Sequence, residues 1–226
     1  MMKALLNLFL KPNCPLCNRP ANTELCDYCQ RQLLRCRFPQ GTKFATEIPL
    51  CVWGQYKDVL KRAIAALKYN HHTELAKPLG YGLAETWLST PREMSSVTVV
   101  PIPLHATKLK KRGFNQAELL AKSFCEITGL SLAAHGLERI KDTEALHELS
   151  PEQRFKKMQS VFNLGQDFRR RRPPGSVLIL DDIYTTGATI KAAIDQFQHA
   201  KIPVVGVVAI ATTQKSVISQ SKKSGE

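Results

Sequence analysis

The sequence has few acidic residues, no long hydrophobic run and no secretory signal. Its longest apolar runs, such as 204–211, reach less than half of the ~20 residues that a membrane-spanning helix needs. Residues 1–10 are apolar but lack the basic region and the small-residue cleavage site of a signal peptide. We therefore expect a cytoplasmic protein without a transmembrane segment. Acidic residues number 19 against 32 lysines and arginines, and the net charge of +13 predicts an anionic partner such as nucleic acid, a nucleotide, pyrophosphate or a membrane surface.

The 226 residues are 43% hydrophobic, which excludes wholesale disorder and allows one domain with a small appendage. Helix-like and strand-like segments alternate from about residue 50, and this alternation predicts an α/β fold with a parallel sheet. Predicted helices cover 58–69, 73–88, 115–127, 188–199 and a segment opening at 150, and predicted strands cover 96–103, 176–180 and 204–210. We divide the chain into a module at 1–45, a domain at 46–212 and a polar tail at 213–226.

Five of the seven cysteines lie in the first 36 residues. Cys14, Cys17, Cys26 and Cys29 form two CxxC pairs, and four thiolates on two tight turns are typical of a structural Zn²⁺ site. Such an ion would stabilise a module that is too small to build its own core. Four unrelated thiols or a redox CxxC are the alternatives. The thiol of Cys36 is expected to lie outside the ligand set.

The most informative stretch runs from Val177 to Thr189. A buried strand is predicted to end in the carboxylates of Asp181 and Asp182, and a hydroxyl-rich loop then leads into a helix. The predicted anion site at this helix start comprises Thr185, Thr186, Gly187, Ala188 and Thr189, since free backbone N–H groups and hydroxyls bind phosphate. The neighbouring carboxylates can accept hydrogen bonds from a vicinal diol, so the pattern describes a ribose 5-phosphate. A plain turn with an Asp at the helix start is the alternative.

A basic segment follows the predicted strand at 96–103. Lys108, Lys110, Lys111 and Arg112 precede the run Gly113-Phe114-Asn115-Gln116-Ala117. Cations after a strand end are suited to pyrophosphate, and they would stabilise that group as it leaves. A solvated basic loop is the alternative.

Two blocks, DDxxTTGAT at 181–189 and RGFNQA at 112–117, resemble the ComF family of amidophosphoribosyltransferase-like competence proteins. The paired CxxC motifs and the helix ending in Leu67-Lys68-Tyr69 match the same family in the same order, so the resemblance covers nearly the whole chain. It implies a type I phosphoribosyltransferase fold that binds phosphoribosyl pyrophosphate (PRPP) with Mg²⁺. It also implies catalytic roles for Arg112, Asp181 and Asp182, PRPP contacts from Lys111 and from 185–189, and a role in DNA uptake during natural transformation with partners at the inner membrane.

One further block departs from the family pattern. Arg139, Lys141, Thr143, Leu149, Arg154 and Phe162 fit it. Leu146 stands where the family usually has Gln, and Lys157 where it has Asn, which puts closure of a loop over the pyrophosphate in doubt.

These observations support two functions. The first is a transferase that displaces pyrophosphate from ribose C1. The second is a non-catalytic competence factor that uses the same fold to bind single-stranded DNA, which the charge and the zinc module favour. Trp53, Tyr56 and Tyr69 are interpreted as packing residues, not base-stacking platforms.

Overall fold

The computed structural model describes residues 13–89, 96–141 and 161–216. The elements in these ranges are α1 (Asp27–Leu34), β1 (Leu50–Gln55), α2 (Asp58–Tyr69), a 3₁₀ turn (Thr73–Leu75), α3 (Ala76–Leu88), β2 (Val97–Pro101), α4 (Ala106–Arg112), α5 (Gln116–Thr128), β3 (Ser131–Leu132), β4 (Leu137–Arg139), β5 (Phe162–Leu164), α6 (Gln166–Arg169), β6 (Ser176–Tyr184), α7 (Ala188–His199) and β7 (Val204–Thr212). None of the helices in these ranges is long and apolar enough to cross a membrane.

The larger sheet has five parallel strands in the order β1-β7-β6-β2-β3. Strands β4 and β5 form a separate antiparallel pair. Along the chain, β2 leads outward to β3, whereas β6 leads outward in the opposite direction to β7. The order of the strands therefore reverses between the neighbours β2 and β6. In open α/β sheets, ligands bind at the carboxyl ends of the strands at such a reversal.

Both faces of the sheet are covered, as expected for parallel strands that are apolar on both sides. On one face α2, α3 and α5 pack against β6 and β7, and the buried residues there include Leu60, Ile64, Leu67, Leu79, Leu83, Leu120, Phe124, Leu178 and Val208. On the other face α7, α6 and the β4-β5 pair meet the strands, and the buried residues there include Phe162, Phe168, Val177, Ile179, Ile190, Phe197 and Val207. The two layers hold β2 and β6 in place beneath the site.

Residues 13–38 pack onto the first of these two faces. Leu25, Leu33 and Cys36 are buried in the same core cluster as Leu60 of α2, and Lys77 of α3 forms an ion pair with Glu24 at 3.2 Å. Three residues, 36–38, then run antiparallel to the outer edge of β1, with hydrogen bonds from the N–H of Gln55 to the carbonyl of Cys36 and from Phe38 to Trp53. This segment covers the edge that β1 would otherwise present to solvent.

Gly54 lets the two backbones approach closely at this edge. A Cβ at this position would lie 2.8 Å from the carbonyl oxygen of Cys36 and 2.9 Å from Leu60. A larger residue would therefore separate residues 36–38 from β1.

The α/β class, the parallel sheet and the flanking helices are confirmed. The helices predicted at 58–69 and 188–199 have the predicted bounds, and the one at 73–88 begins with a 3₁₀ turn. One prediction is wrong: β6 does not end before the acidic pair but continues through it to Tyr184. Pairing with β7 extends to Tyr184 opposite Thr212, and this keeps the polar residues extended.

The helix predicted to open at 150 lies outside the described residues, as do Thr143, Leu146, Leu149, Arg154 and Lys157. Of the tail predicted at 213–226, only 213–216 is described.

Candidate functional site

A crevice opens where β2 and β6 separate. Their pairing ends at Pro101 opposite Leu180, and the N–H of Ile102 makes the final hydrogen bond to Leu180 at 2.9 Å. Beyond this point β6 pairs with β7 alone, so its β2-side edge borders the crevice. The resulting pocket of about 370 Å³ is lined by Tyr56, Lys68, Ile102, Pro103, Leu104, Gln116, Arg139, Asp181, Asp182, Ile183, Thr185 and Thr189.

Asp182 is held from two helices. Its carboxylate is nearly inaccessible, at 3% exposure, and it forms an ion pair through Oδ2 with the ammonium of Lys68 in the last turn of α2. Oδ1 accepts a hydrogen bond of 3.0 Å from Nε2 of Gln116 in the first turn of α5. The paired cation and the amide compensate much of the cost of burying this charge.

Asp181 lies in a different setting, half-buried on the wall of the pocket. Burial and the adjacent Asp182 raise the pKa of its carboxyl well above the ordinary value. The N–H of Asp182 donates to Oδ1 of Asp181 at 2.8 Å, which opposes part of that shift. The acidic pair therefore combines one carboxylate that the protein neutralises itself with one whose charge is unfavourable until a cation approaches.

The loop after β6 turns sharply at Gly187, which has φ +79°. A Cβ at Gly187 would lie 2.5 Å from the hydroxyl of Tyr184, so both the dihedral angle and the available space require glycine. Neighbouring residues fix the loop: Thr212 donates to the carbonyl of Tyr184 at 2.7 Å, and Gln214 to that of Thr185 at 3.0 Å. Helix α7 begins at once with Ala188, whose N–H donates to the hydroxyl of Thr186 at 3.4 Å. The N–H groups of the next two residues have no partner within the helix.

The five residues predicted to bind phosphate face two cavities. Thr185 and Thr189 line the acidic pocket. Thr186, Gly187 and Ala188 line a separate groove of about 730 Å³ between α7 and residues 45–48. The start of α7 is the wall between the two.

The basic segment folds as helix α4, which the sequence analysis did not predict. Its N-cap is His105, whose side chain accepts from the N–H of Thr107, and it ends at Gly113 in the left-handed conformation. Asn115 then caps α5 and also donates to the carbonyl of Ile102 at 3.1 Å. This bond ties the basic segment to the end of β2.

A cationic groove of about 490 Å³ lies beside the acidic pocket. Its lining residues are Lys68, Tyr69, His71, Leu104, Lys108, Lys111, Arg112, Gln116 and Arg139, and none of them is a carboxylate. Lys108, Lys111 and Arg112 line the groove, whereas Lys110, which the sequence analysis grouped with them, is not among its lining residues. Lys110 is exposed, because a helix cannot turn three consecutive side chains to one face.

Four residues line both cavities: Lys68, Leu104, Gln116 and Arg139. Sequence reasoning connected Arg139 only with a family pattern and gave no site role to Lys68 or Gln116. The sequence did contain a hint of a site role for Gln116, because it is a polar residue on the face of α5 that is buried. In the structure Gln116 is only 5% exposed. The packing interpretation holds for Trp53, at 2% exposure, but is wrong for Tyr69, which is 71% exposed with the guanidinium of Arg112 at 5.4 Å from its ring centre.

The four predicted metal ligands converge. The sulfur atoms of Cys14, Cys17, Cys26 and Cys29 all lie within 4.8 Å of one another. Tetrahedral Zn²⁺ with sulfur at about 2.3 Å requires thiolates about 3.8 Å apart, so the set fits such an ion with small adjustments. The N–H groups of Cys17 and Asn18 donate to the carbonyl of Cys14 in a tight turn.

Cys26 and Cys29 stand at the start of α1. Although burial opposes it, the backbone N–H groups of Cys26 and Leu16 lower the pKa of Cys14 to about 7, which favours the thiolate. Four cysteines on a turn and a helix start can thus hold a metal ion such as zinc. Cys36 lies outside this set, with its sulfur 3.8 Å from the carbonyls of Gln32 and Lys57.

No family model matches the chain. The chain is 26% identical over 185 residues to the DNA utilization protein YhgH of Escherichia coli O157:H7, which corresponds to 78% of this chain and 80% of that protein. It is 28% identical over 189 residues to the competence protein ComFC of Bacillus subtilis strain 168, covering 80% of this chain and 69% of that protein.

Among solved structures, a hypoxanthine phosphoribosyltransferase from Staphylococcus aureus is similar with a TM-score of 0.34 and 17% identity, over 65% of this chain and 68% of that one. At that TM-score the similarity carries no argument, and the description of the fold rests on the strand order and the crevice. The two relatives confirm the resemblance that the motifs indicate. Over most of its length, this chain is similar to proteins named for competence and DNA utilization.

Proposed function

We propose that the crevice binds PRPP with Mg²⁺ and that the chain acts as a cytoplasmic phosphoribosyltransferase-type protein in DNA uptake, with other uptake proteins at the inner membrane as its expected partners. The observation that supports this is the shared wall between the acidic pocket and the cationic groove. PRPP carries a diol and a 5-phosphate at one end and a diphosphate at the other. The two cavities offer acceptors and hydroxyls on one side and cations on the other.

The acidic pocket is suited to the ribose 5-phosphate. Asp181 would accept from a ribose hydroxyl, and the hydroxyls of Thr185 and Thr189 would donate to the phosphate together with the first N–H groups of α7. Of the residues at this turn, Thr185 and Thr189 line the pocket, whereas Thr186, Gly187 and Ala188 line the neighbouring groove. Asp182, which Lys68 and Gln116 already hold, would orient the ribose from the buried side of the pocket.

The cationic groove is suited to the leaving group. When a nucleophile forms a bond to C1 of the ribose, the bond from C1 to the diphosphate oxygen breaks and the diphosphate leaves with the electron pair. Negative charge grows on the diphosphate as that bond lengthens. Lys111, Arg112 and Arg139 line the groove and would stabilise this charge, which lowers the barrier.

The chemistry of the acidic pair also fits Mg²⁺, which proteins bind through one or two carboxylates together with substrate phosphates. The Asp181 carboxyl has a raised pKa, and a cation beside it would remove the cost of its charge. Asp181 would hold the ion together with oxygens of the ligand. When bound, Mg²⁺ would neutralise the diphosphate.

The test is calorimetry of the full-length protein with PRPP and Mg²⁺. Wild type should bind in the micromolar range, and Lys111→Met should weaken binding about tenfold, because one charge-assisted contact contributes roughly 1.5 kcal/mol. Lys110→Met is the matched control, since Lys110 is exposed on the same helix outside the groove.

No heat change at about 1 mM PRPP, with Mg²⁺ present, would overturn the proposal, because small-metabolite affinities are rarely weaker. Equal losses in the two lysine variants would also contradict it, since they would indicate a diffuse attraction to positive charge.

Single-stranded DNA binding is the second candidate. The exposed ring of Tyr69 beside Arg112 favours it, because a base can stack on an aromatic ring while cations contact the phosphates. A steep fall of oligonucleotide affinity with salt, together with a loss in Tyr69→Ala and no response to PRPP, would support this function instead of the first.

A further inference from the structure

A closed chain of contacts passes through the wall between the two cavities. Lys68 pairs with Asp182, Asp182 accepts from Gln116, and the carbonyl oxygen of the Gln116 side chain accepts from Arg112. Arg112 in turn lies over Tyr69, the residue next to Lys68. These contacts form a circuit that joins α2, α5, β6 and the basic segment.

The members of this circuit divide between the cavities. Asp182 lines only the acidic pocket, Arg112 lines only the cationic groove, and Lys68 and Gln116 line both. The side chain of Lys68 is 16% exposed and lines both cavities while its ammonium pairs with the nearly inaccessible carboxylate. Two cations, Lys68 and Arg139, thus lie between the place for a ribose and the place for a diphosphate, and Lys68 pairs with Asp182.

This position creates a competition for the Lys68 ammonium. An anion in the groove attracts the ammonium of Lys68. The stronger this attraction is, the weaker the ion pair between the ammonium and Oδ2 of Asp182 becomes. Oδ2 then has a lone pair for a ribose hydroxyl, which is a neutral donor and a weaker competitor than an ammonium. Arg112 acts in the same direction, because its contact with an anion loosens its hold on Gln116 and hence on Oδ1.

We propose that Lys68 is a positioning residue that couples the two cavities, so that an anion in the groove makes Asp182 a better acceptor for a ribose in the pocket. This inference rests on the proposed function. Coupling of this kind is reciprocal, so a ribose phosphate in the pocket must strengthen diphosphate binding by the same factor. The order in which the two ends of PRPP arrive then does not matter.

The test uses inorganic pyrophosphate and ribose 5-phosphate as separate probes of the two cavities. Each is titrated into the full-length protein by calorimetry with Mg²⁺, alone and with the other probe saturating. In wild type, pyrophosphate should tighten ribose 5-phosphate at least about fivefold, the lower end of typical coupling. In Lys68→Met the tightening should vanish or turn into a weakening, because two anions repel each other.

Two variants and a control separate coupling from structural damage. Lys68→Arg keeps the charge and should restore part of the tightening. Lys61→Met removes an exposed lysine from the same helix and should leave it unchanged. Should Lys68→Met unfold, the double variant Lys68→Met/Asp182→Asn removes both charges, leaves no unpaired buried charge and should show no tightening.

The failures of the two proposals are distinguishable. If both probes bind and the wild type shows no tightening, or if the tightening persists in Lys68→Met or in the double variant, the role of Lys68 is overturned and the proposed function stands. If neither probe binds to the wild type, the role of Lys68 is overturned, and the proposed function falls with it only when PRPP itself gives no heat change.

Discussion

The thiol cluster and the acidic pocket both gather polar groups that the chain could not bury unaided, but they depend on the rest of the molecule differently. The four sulfurs come from one turn and one helix start within sixteen residues of sequence, Cys14–Cys29, and converge within 4.8 Å. The pocket takes its side chains from segments as distant as Tyr56 and Thr189, and strands and helices with apolar cores hold them. The cluster is a local device, whereas the pocket is a product of the whole fold.

This difference has an energetic consequence. Residues 13–38 contribute few large apolar side chains, so we expect their order to depend on the ion that the thiols would hold. The pocket depends instead on buried strands, and its polar groups work against stability where they are not paired. Removing a thiol ligand should therefore destabilise residues 13–38, whereas removing an unpaired charge can stabilise the acidic pocket.

The largest effect is expected at the cluster. Cys29→Ser should abolish stoichiometric metal binding and lower the free energy of unfolding by at least about 4 kcal/mol, since loss of a structural metal is among the most costly changes. Metal content by mass spectrometry and urea unfolding measure both quantities.

Cys36→Ser is the matched control, because Cys36 is buried beside the cluster but outside its ligand set. It should keep the metal and cost about 1 kcal/mol. Wild-type protein that carries no metal and has the same urea midpoint with a strong chelator would show that the cluster is not a metal site.

The acidic pair provides the second test, because substituting its two members should change the free energy of unfolding in opposite directions. Asp182→Asn leaves the ammonium of Lys68 without its carboxylate and should cost about 3 kcal/mol. Asp181→Asn should instead stabilise the ligand-free protein at neutral pH, because burial and Asp182 raise the pKa of Asp181. It should also weaken PRPP binding at least tenfold.

The direction in which stability changes with pH follows from proton binding to Asp181. The folded state holds the Asp181 proton more tightly than the unfolded state, so stability falls as pH rises from the ordinary carboxyl range through the raised folded-state pKa. Urea unfolding at about pH 5 and about pH 8 should show this fall in wild type and a smaller one in Asp181→Asn. A parallel response of both proteins would contradict the raised pKa.

The smallest effect concerns the loop that joins the pocket to α7. Gly187→Ala combines a positive φ with a contact of 2.5 Å to the Tyr184 hydroxyl, and should cost about 2 kcal/mol and weaken PRPP binding. Gly129→Ala is matched in φ, at +71°, but has nothing within 4 Å of its Cβ. It should cost about 1 kcal/mol and leave binding unchanged. Equal losses of unfolding free energy in the two variants would mean that the loop at Gly187 has room to move.

Local patterns predicted the elements that depend on local features. The apolar stripe of Leu60, Ile64 and Leu67 fixed the extent of α2 correctly. Helix α4 has no buried residue and therefore no stripe, and it was not predicted. The length of β6 was underestimated because Asp181 and Asp182 end the apolar run, whereas pairing with a distant strand keeps them extended.

The same reasoning separates the site residues. The thiol ligands and the turn at Gly187 are encoded in short motifs, so the sequence predicted where they would meet. Lys68 and Gln116 reach Asp182 from two different helices, 114 and 66 positions away in the chain, and no local spacing carries that information. What the sequence lacked was the packing of α2 and α5 on one face of the sheet.

The covered edge of β1 has a consequence for the life of the protein in the cell. Residues 36–38 cover the edge of β1 at residues 53–55, and they follow closely on the helix that begins after Cys26 and contains Cys29. If the thiol cluster holds an ion, a chain made without that ion would lose this cover and present an open strand edge, with the buried Trp53 next to it, to other chains. Self-association would then remove such molecules, so the module would also serve as a checkpoint on how the protein was made.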